Sequence, residues 1–117
     1  MDNKNKEDLK IMKCKPCEGI GKSLTKDKAL VLLTRVTHWN ISDNGKMIFR
    51  EYTSKNFISA INLINTIAHV AEEEGHHPDI HLTNYKQFRI ELTTHALPGL
   101  AENDFIIAAK INEILSI

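Results

Sequence analysis

The chain reads as one α+β domain: a four-stranded antiparallel sheet carrying three helices on one face, in the order α-β-β-α-β-β-α. Three observations predict it. Two pairs of strand-like runs each close on a turn signal, Asn44-Gly45 in the first and Asn84 in the second. Segments of helical period precede, separate and follow those pairs. The length, 117 residues, suits a single core rather than two. Separate hairpins with helices between them form an antiparallel layer design whose second face stays open to solvent, ligand or another subunit.

The elements follow in order. Residues 1–22 read as a loosely ordered N-terminal segment, and residues 23–117 as the domain. Ser23 or Thr25 caps a helix reaching Thr34, with Leu24, Ala29, Leu30 and Leu33 near one face. His38 to Ser42 and Lys46 to Tyr52 are strands, with Trp39 and Ile41 on the inner face of their hairpin. Thr53 or Ser54 caps a long helix whose apolar stripe is Phe57, Ile61, Ile64, Ala68 and Ala71. Gly75 ends that helix and Pro78 forbids its continuation. Glu72, Glu73 and Glu74 oppose the dipole of its last turn, at about 0.3–1 kcal/mol each when exposed, so some other contact should justify at least one. Ile80 and Leu82, then Phe88, Ile90 and Leu92, alternate with polar residues as half-buried strands. A final helix spans Glu102 to Ser116, with Ile107, Ile111 and Ile114 on one face.

Fifteen basic and fifteen acidic residues leave no net positive field for phosphate backbones or anionic lipid. Binding of nucleic acid or a membrane surface is therefore not expected. Met1 to Lys13 lack the apolar run of a signal peptide, and no stretch approaches the roughly 20 apolar residues of a membrane span. The expected location is the cytoplasm. Cys14 and Cys17 form a lone Cys-x-x-Cys without a second pair to complete a zinc site, and they read as reduced thiols without catalytic duty.

Four of six histidines lie between residues 76 and 95. His76 and His77 stand at a helix-to-strand junction, which holds side chains on rigid supports yet leaves them accessible. If the last two strands pair, His95 at the end of the second returns to His76 and His77 at the start of the first. Three imidazoles, each able to give and take a proton near neutrality, then converge on one pocket. Glu72, one turn below, is placed to hydrogen-bond the His76 ring and fix its tautomer. His38, His69 and His81 read as ordinary surface histidines. A zinc site drawn from Glu72, His77, His81 and His95 is the rival, but His77-x-x-x-His81 crosses a proline into a strand and lacks the geometry a helix would give that spacing.

Glu72-x-x-x-His76-His77-Pro78, with Tyr85, His95 and Asp104 beyond it, resembles the signature of the pterin-4a-carbinolamine dehydratases. The likeness takes in Cys14 to Gly19, Trp39, Lys55-Asn56-Phe57, Ala71 to Ile80, Leu92 to His95 and Gly99 to Asp104. It implies dehydration of a 4a-hydroxytetrahydropterin to the quinonoid dihydropterin, supporting tetrahydropterin recycling, with no metal or other cofactor. By position, the resemblance makes His76, His77 and His95 the catalytic residues, His76 and His95 for proton transfer and His77 for holding the pterin. Gly75, Thr93, Thr94 and Ala96 would line the substrate site with the histidines, supported by Glu72 and Asp79. Ala101 stands where the family often has Ser or Thr capping the last helix. The same resemblance admits a non-catalytic dimerisation or partner-binding module, or a role in molybdopterin-related metabolism. A small domain with an open sheet face and edge strand is also expected to form a homodimer or homotetramer.

Overall fold

The computed structural model describes residues 8–14 and 22–116. After a single 3-10 turn, Leu9–Ile11, come α1 (Lys26–Leu33), β1 (Asn40–Ile41), β2 (Ile48–Thr53), α2 (Phe57–Glu74), β3 (Asp79–Thr83), β4 (Gln87–Leu92) and α3 (Glu102–Leu115). The strands form one antiparallel sheet in the order β1-β2-β4-β3. The α+β expectation holds, strand for strand and helix for helix.

Alternation along the strands decides which face is covered. Ile48, Phe88, Ile90 and Leu92 are buried, with Tyr52, Ile80 and Leu82 half-buried beside them. Their neighbours Glu51, Thr53, Asp79, His81, Thr83 and Gln87 are exposed on the open face. There Arg89 pairs with Glu91 at 2.7 Å and with Glu51 at 3.2 Å, and its guanidinium lies 4.0 Å from the centre of the Phe49 ring. Helix α3 is the central buried element: Phe105, Ile106, Ile107, Ala108 and Ile111 are all at most 1% exposed. Residues 8–14, inside the segment read as loosely ordered, pack along α3 and bury Leu9. No helix among the described residues is long and apolar enough to cross a membrane.

Of the two candidate caps of the first helix, Thr25 is the one used: the helix begins at Lys26 and the Thr25 Oγ1 accepts from the Lys28 N–H at 3.2 Å. Other local expectations need correction. Strand β1 is only two residues long because His38 adopts a left-handed φ of 75°, which extended pairing excludes. Helix α2 is capped by Asn56, whose Oδ1 accepts from the Ser59 N–H at 2.8 Å, rather than by Thr53 or Ser54. Its buried stripe is Ala60, Ile67 and Ala71, with Leu63 and Ile64 half-buried; Phe57 is 48% exposed and Ala68 is exposed. The helix carries two interleaved apolar stripes of the same period, so periodicity alone does not select the face that packs. Turn geometry also differs from expectation. At the Asn44-Gly45 hairpin only Gly45 is left-handed, whereas Asn84 and Tyr85, at φ 49° and 53°, form the left-handed pair of the other hairpin.

Candidate functional site

The junction between α2 and β3 is built by its glycine. Gly75 sits at φ 68°, where a residue with a side chain is strained, and its N–H donates to the Glu72 carbonyl. The His76 N–H reaches back to the Ala71 carbonyl at 3.2 Å. These two bonds form a Schellman motif, which satisfies the helix end and fixes where the chain leaves it. His76 is thereby aimed into the protein and is 6% exposed.

What His76 meets there is Asp104. Its Nε2 lies 2.6 Å from Asp104 Oδ1. The second carboxylate oxygen accepts from the Thr94 hydroxyl at 2.8 Å and from the Ala101 N–H at 2.9 Å. Asp104 is wholly buried and Thr94 is 1% exposed. Two of the carboxylate's partners, the Thr94 hydroxyl and the Ala101 N–H, donate; with Asp104 as acceptor for the third as well, His76 donates through Nε2, and Nδ1 is its other ring nitrogen. The negative charge also lies in the first turn of α3, where the helix dipole favours it.

The register explains why three chain segments meet here. Asp79 pairs with Glu91 across β3 and β4. Continued three residues outward, that pairing sets His76 beside Thr94, and Asp104 at the start of α3 bridges them. A bridge between Thr94 and Gly99 closes the turn that holds His95, which is exposed, as is Ala96. The Thr93 hydroxyl donates at 2.6 Å to the Lys46 carbonyl, tying the turn to the first hairpin.

Glu72 does not reach His76. Its Oε1 instead lies 3.0 Å from His77 Nε2, both side chains facing solvent at 81% and 62% exposure. The expected support for the His76 ring is therefore corrected from Glu72 to Asp104. The reason is the left-handed Gly75, which turns His76 inward off the helix and leaves the Glu72 face to His77. Asp79 lies on the open sheet face, in the row of His81 and Thr83. His81 pairs with Glu91 at 3.2 Å, and His38 is exposed in its turn. The zinc set considered above is not assembled: among the described residues no three His, Cys, Asp or Glu side chains are grouped as metal ligands would be.

Glu74 is the dipole-opposed carboxylate with a contact that justifies it. It accepts the Cys14 N–H at 2.8 Å and faces the Lys110 ammonium at 3.6 Å. Burial first, and then Glu74, push the Cys14 thiol up to about 12, which keeps it protonated and unreactive. Cys17 lies outside the described residues.

Asp104 is the side chain of this candidate site that residue chemistry alone overlooked. Its signal was the Ala101-x-x-Asp104 spacing of a capping box, in which the third helical residue accepts from the N-cap amide.

Comparison with known proteins gives a consistent set of likenesses. The family model for pterin 4 alpha carbinolamine dehydratase matches residues 22–114. A protein of Arabidopsis thaliana called mitochondrial pterin-4-alpha-carbinolamine dehydratase 2 is 42% identical over 92% of this chain, which spans 59% of that relative's length. A putative pterin-4-alpha-carbinolamine dehydratase of Nitrosomonas eutropha is 44% identical, over 92% of this chain and 94% of its own. Among solved structures, a transcriptional coactivator/pterin dehydratase from Brucella melitensis superimposes with a TM-score of 0.74 at 29% identity, over 80% of this chain and 98% of its own. A pterin dehydratase-like RuBisCO assembly factor of the alpha-carboxysome shares the fold at a TM-score of 0.55 and 21% identity, over 65% of this chain and 87% of its own.

Proposed function

Because the chain belongs to the pterin 4 alpha carbinolamine dehydratase family, we propose that it removes water from a 4a-hydroxytetrahydropterin to give the quinonoid dihydropterin. The reaction breaks the C4a–O bond and forms a carbon–nitrogen double bond. One group must protonate the departing hydroxyl, and another must take a proton from a ring nitrogen. The observation that carries the reading is the buried His76–Asp104–Thr94 network. It holds one imidazole in a single tautomer, with Nδ1 free to accept a proton. His95, on the turn beside Thr94, is the second proton-transfer group, and His77, at the surface beside Glu72, holds the pterin. Gly75 and the Thr93 to Ala96 stretch line the substrate with backbone groups. The hydroxyl leaves as water, taking one proton from the acid while the base takes the ring N–H proton, and no electrons are exchanged with a partner, so the scheme calls on no redox cofactor.

The protein is proposed to act in the cytoplasm, in recycling of tetrahydropterin, as a homodimer or homotetramer. Self-association is supported by Phe57 and Ile58, which are 48% and 64% exposed at the start of α2. Light scattering that gives a monomer at working concentration would remove that part. The activity is tested by adding the protein to a hydroxylase reaction and following the 4a-carbinolamine absorbance. Faster decay is expected, and unchanged decay would reject the dehydratase reading. His76→Ala and His95→Ala are expected to lower the rate by about 10²–10⁴ each, with a smaller loss expressed in KM for His77→Ala. The second reading, a partner-binding module, is favoured by the likeness to the Brucella protein, a transcriptional coactivator/pterin dehydratase. A folded, self-associated protein without turnover would support it.

A further inference from the structure

Among the described residues, one buried guanidinium outside the His76–Asp104 site has no carboxylate partner. Arg50 lies on the covered face of β2, 8% exposed. Its Nη1 donates to the neutral Oδ1 of Asn112, and its Nε is buried without a hydrogen-bond partner. The Tyr52 ring, 5.6 Å from its centre to the guanidinium carbon, adds a weak attraction. A cation withdrawn from water is ordinarily paired. Here burial is the leading influence on the group and acts against its charge. Beside Arg50 opens a cleft of about 370 Å³, lined by Thr37, His38, Asn112, Glu113, Leu115 and Ser116.

We propose that this cleft binds a small oxyanion, a carboxylate or a phosphate, whose charge completes Arg50. The planar guanidinium fork matches either oxyanion, and the cleft has room for one. His38, exposed at the rim, adds a second nitrogen donor. Glu113 and the carbonyl end of α3 also face the cleft and weaken the site. Lys10 already sits 3.1 Å from Glu113 and offsets part of that repulsion.

The protein carries its own reporter. Trp39, the only tryptophan in the chain, donates its indole N–H at 2.8 Å to the same Asn112 oxygen that accepts from Arg50. Sodium phosphate and sodium acetate, each titrated against sodium chloride at constant ionic strength, should therefore move the Trp39 indole N–H resonance along a saturating curve. The tighter of the two anions identifies the ligand class. Arg50→Met should remove the response. Asn112→Asp places a carboxylate against Arg50 and should also remove it, by internal competition. The Arg50 Nε–H resonance of the unaltered protein provides a readout that needs no variant to fold: it should shift with the same midpoint. A linear response equal to that of chloride, or saturation that persists in a folded Arg50→Met, would overturn the proposal.

Discussion

Replacing Asp104 with asparagine is the sharpest test of how the site is held. The carboxylate accepts from three donors, at 2.6, 2.8 and 2.9 Å, and no solvent reaches it. An amide of the same shape offers one oxygen and one NH2. The Ala101 N–H can only donate, so the amide oxygen must stay on its side, where Thr94 also donates. The NH2 then faces His76 Nε2 and compels that nitrogen to accept. The imidazole proton moves to Nδ1, and the nitrogen proposed to take the substrate proton is now occupied. Loss of one general acid–base role predicts a fall in kcat of about 10²–10⁴. Exchanging charge-assisted bonds for neutral ones predicts a stability loss of about 1–3 kcal/mol. Carbinolamine decay measures the first, urea unfolding the second, and the ring nitrogen shifts of His76 report the tautomer. Asp104→Asn with the tautomer exchanged and kcat unchanged would refute the assignment of Nδ1.

Three further outcomes follow from the surroundings of Gly75 and Cys14. Gly75→Ala should cost about 1–2 kcal/mol, all of it from backbone strain at φ 68°, because no heavy atom lies within 4 Å of the added Cβ; a larger loss in urea unfolding would mean that the helix end itself had moved. In a Cys17→Ser background, Cys14 should react with iodoacetamide at pH 8 at least about 100-fold more slowly than in the unfolded chain, since its thiol is held up to about 12 and the thiolate is the nucleophile. The same shift carries a sign for stability. The folded state favours the neutral thiol, so its contribution is complete below pH 9.0 and is lost as the pH rises toward 12, visible as a fall in the urea midpoint across that range.

Much of the fold is written locally and much of the site is not. The hairpins, the Gly75 stop and the period of the last helix are each fixed by residues close in sequence, and all three appear where the chain puts them. The packed face of α2 was legible only in part: Ile64 and Ala71 of the expected stripe meet the core, but Phe57 and Ala68 are exposed while Ala60 and Ile67 are buried, because the two sets repeat with the same period and the partner surface chooses between them. His38 failed for a different reason. It sits in a polar–apolar alternation that mimics a strand, while its backbone turns left-handed. At the site, His76 was legible from its junction, but its partner was not. Glu72 is near in sequence and Asp104 is 28 residues away, and only the β3–β4 register together with the entry angle of α3 decides between them.

Asp104 serves two purposes, and a pair of substitutions can separate them. It accepts from the Ala101 N–H as the third residue of α3, and it holds the His76 ring. Ala101 has no side-chain oxygen, so the reciprocal half of the capping box is missing and the helix start leans on Asp104 alone. Ala101→Ser supplies an oxygen that can accept from the Asp104 N–H, a gain of about 0.5–2 kcal/mol in helix capping. Introduced with Asp104→Asn, it should restore much of the urea midpoint while leaving the proton on His76 Nδ1. Stability would then return without turnover. If turnover returned in step with stability, the rate loss in Asp104→Asn would have come from a weakened fold, and Asp104 would be a cap rather than the group that sets the imidazole.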